Sequence, residues 1–220
     1  TPDSFSDGGQ HNAVPDALRV AQEMVAAGAD ILDIGGESTR PGADFVPVSE
    51  EITRTAPVIA ALRGAGLHTP ISIDTRKAAV AEAAVSAGAN LVNDVSGFTF
   101  DPALGPLCQK LALPVCVMHA QGDPATMHLD PQYDNVLLDV FDALERQISM
   151  LEASGIPRGA ILADPGIGFG KTQDHNLALL ARLSLFHVLG TPILLGVSRK
   201  RFIGTLSLIH ISEPTRQVLI

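Results

Sequence analysis

The sequence predicts an α/β fold whose parallel strands close into a (β/α)8 TIM barrel. Three observations carry that prediction. Short apolar runs alternate with longer amphipathic stretches along all 220 residues. One unit echoes another: "AAGADILDIGG" (26–36) and "SAGANLVNDVSG" (86–97) share a helix end, a glycine and a strand. Such βα repetition gives parallel strands joined by crossover helices. Finally, nearly every candidate strand exits into polar or glycine-rich sequence: "GGESTRPG", "DTRK", "NDVSG", "MHAQG", "DPGIGFGK" and "GVSRK". An open doubly wound sheet concentrates its site at one switch point, whereas a barrel spreads it over many strand ends. A spread over six exits favours the barrel.

Each element has its own justification. Pro15-Asp16 opens a helix that runs to Gly28, with Leu18, Ala21, Met24 and Val25 on one face. "DILDIG" (30–35) follows as the first strand. Ser49 is expected to cap a second helix, with Glu50 and Glu51 favourably placed in its first turn. Strands follow at "ISID" (71–74), "NLVND" (90–94) and "PVCVMH" (114–119). A long amphipathic helix begins near Asp134 and stops at Gly155; its stretch 135–151 is a barrel helix or part of a homodimer face. "AILAD" (160–164), a helix from about His175 to Gly190, and "PILLGV" (192–197) complete the pattern. Six strands are visible, so one is expected before Thr1 and another after the last.

Hydrophobic residues make up 46% and charged residues 18%, with no Pro/Ser-rich linker, which predicts one globular domain. The formal net charge of −9 argues against a sequence-independent hold on nucleic acid or an anionic membrane. Cys108 and Cys116 lack metal-knuckle or redox spacing and read as small buried hydrophobes in a reducing compartment. No apolar run of about 18 residues and no basic-then-apolar leader is seen, so a cytoplasmic location is expected.

"DPGIGFGKT" (164–172) imitates a phosphate-binding P-loop. That loop needs its first glycine five positions before the Gly-Lys pair, where Pro165 stands with no N–H to offer. The P-loop reading fails.

The chemistry-bearing groups lie elsewhere. Asp74, Asn93, Asp164 and Lys200 end four candidate strands, and in a barrel those ends converge. Carboxylates and an amide suit a flat heterocycle with N–H donors, and a lysine suits its carbonyl or ring nitrogen. The alternative is a salt-bridge network closing the barrel top. "TPDSFSDGG" (1–9) and "GGESTRPG" (35–42) add hydroxyls and glycine hinges, with Ser38, Thr39 and Arg40 in the second. Arg40 can fork onto a phosphate, so the two loops read as a lid over a phosphorylated ligand. His119 and His128 have no carboxylate spacing to support metal binding; His119 reads as a strand-end residue near the pocket.

Together "TPDSFSDGG", "GGESTRPG", "DTRK", "NDVSG", "DPGIGFGK" and "SRK" occur in the order of the dihydropteroate synthase motifs. The chain resembles that pterin-binding TIM-barrel family from Thr1 to about Leu206. The resemblance implies a transferase of folate biosynthesis, inhibited by sulfonamides. It joins 6-hydroxymethyl-7,8-dihydropterin diphosphate to p-aminobenzoate in an SN1-like substitution helped by Mg2+. By the same resemblance Asp74, Asn93, Met118, Asp164 and Lys200 bind the pterin, and Thr39 and Arg40 meet the diphosphate. Phe5, Pro41, Phe169 and Lys200 border the p-aminobenzoate slot. Asp7, Arg40 and Lys200 are the catalytic set, with Asp7 stabilising positive charge on the methylene carbon. The glycines after Asp164 keep that loop close enough for Phe169 to line the slot, leaving Lys171 as a loop charge.

The chain also departs from the family. The asparagine that ligates Mg2+ would lie upstream of Thr1, so no metal ligand is assigned in this chain. The last strand's Arg-x-His pair is not found, and Arg201 stands where some members carry serine. Residues 1–206 read as the barrel domain and 207–220 as a non-native tail; the polypeptide as written is expected to be inactive. Two rivals are a pterin-binding methyltransferase domain and a non-catalytic pterin-binding homologue. The first is not expected to carry both loops with "SRK"; the second has no need of them.

Overall fold

The computed structural model describes residues 13–38, 44–122, 130–198, 200, 203 and 218–219. Helices α1 (Ala13–Ala26), α2 (Val48–Gly64), α3 (Ala78–Ala87), α4 (Leu104–Lys110), α5 (Val136–Ala153) and α6 (Gln173–Ala181) alternate with strands. Those are β1 (Leu32–Gly35), β2 (Ile71–Asp74), β3 (Leu91–Asp94), β4 (Val115–Met118), β5 (Ile161–Asp164) and β6 (Leu194–Leu195).

Strands β1 to β5 pair in sequence order, all parallel. A bridge between Ala163 and Ile193 carries the order on toward β6. This order has no reversal, and a reversal is what defines a doubly wound sheet. Crossovers of one hand then put every helix on the same side, so the sheet curls with its helices outside. The described strands form an arc and do not close a ring. Val218–Leu219 forms a further strand, β7, antiparallel to β6.

The two faces of the arc differ in chemistry because side chains alternate along each strand. Leu32, Ile71, Ile73, Val92, Val115, Val117, Ile161 and Ala163 face the helices and are buried in the main apolar cluster. On α5 the matching stripe is Val140, Leu144, Ile148 and Leu151, while Leu138 and Met150 stay exposed.

One cap explains the internal echo. After α3, Gly88 adopts φ +116 and donates to Val85, while Ala89 donates to Ala84. After α1, Gly28 and Ala29 make the same pair of bonds to Val25 and Met24. This is the Schellman motif, which satisfies orphan carbonyls and turns the chain into the next strand. It recurs after α2, α4 and α5. At α4 the left-handed position is held by Ala112, φ +50.

Three helices differ from expectation at their boundaries. Helix α1 begins at Ala13, ahead of Pro15-Asp16. The N-cap of α2 is Pro47, not Ser49, and no side chain caps it; Ser49 lies within the first turn. The helix expected over 175–190 starts at Gln173 because Thr172 forms a capping box with His175. It breaks at Arg182 into a 3-10 segment, Leu183–Leu189, ended by left-handed Gly190.

Candidate active site

The strand register assembles the inner face. Gly35 lies beside Asp74, Asp74 beside Asn93, and Asn93 beside Cys116. Met118 lies beside Asp164 one pleat further on. Since residues two apart share a face, Asp33, Asp74, Asn93, Cys116, Met118 and Asp164 all point to the side away from the helices. Four of these are polar side chains where a sealed core would place aliphatic ones.

Asp164 is buried, and its Oδ1 accepts the Gly166 N–H at 2.7 Å. Burial pushes its carboxyl up to about 6, against the opposing pull of that N–H, Lys200 and Lys171. Lys200 is itself shifted down by burial, with Asp164 opposing. Its Nζ lies 4.0 Å from the centroid of the Phe169 ring, a cation–π contact. The glycines between them are there for space. At Gly166 (φ +68) a Cβ would stand 1.9 Å from the His119 carbonyl oxygen, and at Gly168 (φ +81) 3.1 Å from Lys200 Cδ. The turn can therefore lie flat against both neighbours only without side chains.

Asp33 is an inner-face group that sequence reasoning missed. Asn93 Nδ2 donates to its Oδ2 at 3.3 Å. Asp33 is exposed on this open face, and partial desolvation by the strands beneath it raises its pKa. Asp74 is raised well above the ordinary carboxylate range by burial and then by the charges of Asp33 and Asp94. The legible signal was an aspartate in the middle of the apolar strand "DILDIG". Cys116 sits among these carboxylates, and burial followed by their charge raises its thiol well above the usual value. Both cysteines are free and buried, as read from the sequence.

A second polar cluster joins the exits of β1 and β2. Lys77 Nζ lies 2.5 Å from Glu51 Oε2 and 3.1 Å from Glu37 Oε1, and donates to the Val46 carbonyl at 2.6 Å. Thr75 donates to Glu51 Oε1 at 2.6 Å, and Arg76 Nε to Glu37 Oε2 at 2.9 Å. Glu37 also accepts the Val46 N–H. Burial would raise Glu37, but Arg76, that N–H and Lys77 outweigh it and hold the carboxyl low. Glu51 lies in the first turn of α2, as expected, and is also fully buried as an ion-pair partner of Lys77. Its spacing gave the clue: it shares a helical stripe with Thr55, Val58, Ile59 and Leu62.

Lys171 is also more than a loop charge. It bonds to three carbonyls and to His119. His119 directly follows β4 and is buried. Burial and then Lys171 push its ring down to about 3. Phe5, Asp7, Thr39, Arg40, Pro41, His128 and Arg201 lie outside the described residues. Among the described residues, no three His, Cys, Asp or Glu side chains converge as a metal site. None of their helices is long and apolar enough to cross a membrane.

An inner face of acids and an amide, beside a lysine stacked on a phenylalanine, fits a flat heterocycle with N–H groups. Comparison with known proteins leads the same way. The family described as "Pterin binding enzyme" matches residues 1–219. Dihydropteroate synthase of Escherichia coli K12 is 46% identical over 213 residues, covering 97% of this chain and 75% of that protein. The Yersinia pestis dihydropteroate synthase structure, a complex with a sulfonamide drug, superposes with TM-score 0.88 at 45% identity, over 94% of this chain and 75% of that one. The Xanthomonas albilineans enzyme, solved with 4-aminobenzoic acid, gives 0.85 at 44%, over 96% and 74%. The arc is thus part of a TIM barrel, and the chain belongs to the pterin-binding enzyme family, among its dihydropteroate synthases.

Proposed function

We propose that the inner face of this sheet binds the dihydropterin ring for the dihydropteroate synthase reaction. Asp74, Asn93 and Asp164 accept its amino and ring N–H groups, Met118 packs near the ring, and Lys200 donates to its carbonyl or ring nitrogen. Phe169 and Lys200, with Phe5 and Pro41, border the p-aminobenzoate slot, and Thr39 and Arg40 meet the diphosphate. The C–O bond to diphosphate breaks first, and Asp7 stabilises the positive charge left on the methylene carbon. The aniline nitrogen then attacks, a C–N bond forms, and a proton leaves the nitrogen. Such fixed charges stabilise a developing cation and anion without reorganising.

The observation that carries this reading is the register, which aligns Asp74 with Asn93 and Met118 with Asp164 on one face. The resemblance implies Mg2+ beside the diphosphate. The described carboxylates supply no cage for it, and none of the roles given above depends on it. The free cysteines suit a reducing compartment, and we place the reaction in the cytoplasm. The test is a coupling assay with labelled p-aminobenzoate and dihydropterin diphosphate, run on this chain joined to a family-like first strand and to a family-like ending after Leu206. Labelled dihydropteroate is expected. Pterin binding with no coupled product would instead favour a non-catalytic homologue, and methyl transfer to or from a folate would favour the methyltransferase rival.

A further inference from the structure

Lys171 belongs to the motif that imitates a P-loop, and none of the roles given above uses it. It lies on the turn between β5 and α6. Its Nζ is 2.9 Å from His119 Nδ1, 2.9 Å from the Gly166 carbonyl, 3.0 Å from that of Phe169 and 3.2 Å from that of His119. These partners are carbonyls and an imidazole, not a carboxylate. An ammonium carries three N–H bonds and no acceptor, so His119 Nδ1 must accept and its proton sits on Nε2.

Three carbonyl dipoles pointing at one spot repel one another unless a cation sits between them. Two come from the turn and one from the end of β4, so the ammonium pins the turn to the neighbouring strand. Lighter fastenings hold the rest. Tyr133 donates to the Gly170 carbonyl at 2.8 Å, and Asn176 Oδ1 accepts the Gly168 N–H at 2.7 Å. The turn thus fastened carries Phe169, whose ring lies 4.0 Å from Lys200 Nζ. A structural lysine with no such task would more cheaply be an apolar side chain, because burying an ammonium is costly. Burial and Lys200 bring Lys171 down to about 7, against Asp164, in the direction that cost requires.

We propose that Lys171 is a positioning residue for p-aminobenzoate: its ammonium gathers the Gly166, Phe169 and His119 carbonyls and thereby sets Phe169 against Lys200. The inference rests on the slot assigned above to Phe169 and Lys200.

The test is steady-state kinetics of dihydropteroate formation at about pH 7, in the same chain completed with a family-like first strand and ending, on wild type, Lys171→Met, Phe169→Ala and the double variant, with melting curves for all. Lys171→Met keeps the stem and deletes the cation. It should raise KM for p-aminobenzoate roughly tenfold, the scale of a lost charged hydrogen-bond partner, and move KM for the dihydropterin diphosphate by less than about threefold. Because it acts through Phe169, it should add less than about twofold in the Phe169→Ala background. Lys171→Gln, which retains two N–H donors, should fall between wild type and Lys171→Met and serves as the variant of record if Lys171→Met does not fold. Equal rises in both KM values, no change, or full additivity with Phe169→Ala would overturn the inference alone. An unchanged KM in Phe169→Ala would overturn the slot assignment, and the inference with it.

Discussion

At the scale of single residues, titration links structure to binding. Asp164 is raised from an ordinary 3.8 to about 6 because burial penalises its charge. The sign for stability follows: between those values the folded carboxyl holds a proton that the unfolded one has released. Its contribution to stability is therefore lost as pH rises from 3.8 to about 6. Ligand binding runs the other way, since pterin N–H groups need the ionised acceptor. The share of pterin affinity that Asp164 supplies should hold above about pH 6 and fall by up to roughly tenfold per unit below it. Calorimetric titration across that range checks this, and Asp164→Asn should flatten the profile. Lys77 makes a different prediction. It is the buried cation facing fully buried Glu51, and Lys77→Met leaves that carboxylate unpaired. The loss should be about 3–5 kcal/mol in urea unfolding, far more than for the exposed Arg19–Glu23 pair.

At the scale of elements, strand positions were legible because apolar runs bounded by Gly, Pro and Asp have few other uses. Helix ends were less so. Ser49 is the residue capping chemistry favours, yet α2 starts earlier, at Val48 after Pro47, with no side-chain cap. Local propensity could not reveal the break at Arg182, since Leu183–Leu189 is as apolar as a helix needs; the 3-10 spacing there buries Phe186 and Leu189, three residues apart. The repeated glycine caps were visible as the "AAGAD" and "SAGAN" echo, but the α4 copy was hidden because alanine occupies the left-handed position. That exception gives a prediction. Ala112→Gly should relieve the strain of a Cβ at φ +50 and stabilise the protein by about 0.5–1 kcal/mol. A shift in the urea midpoint at constant slope would register it.

At the scale of the whole molecule, the sheet order and the site are one fact. Strands that pair in chain order bring all their carboxyl ends to one rim, so residues far apart in sequence, Asp74 and Asp164 among them, share a face. The strand-end residues were readable for that reason. Asp33 and Glu51 left only a trace in the sequence, an acid in an apolar strand and an acid on a buried stripe, and Lys171 left none, because their partners are set by register and loop contact. The most direct test is a calorimetric titration of dihydropterin diphosphate, at about pH 7.5, into wild type and into Asp164→Ala. Wild type should bind saturably and the variant should lose about 1–3 kcal/mol, because the ligand N–H groups lose their acceptor. Equal affinity in the two proteins would contradict it, by showing that the inner face of the sheet is not where the pterin binds.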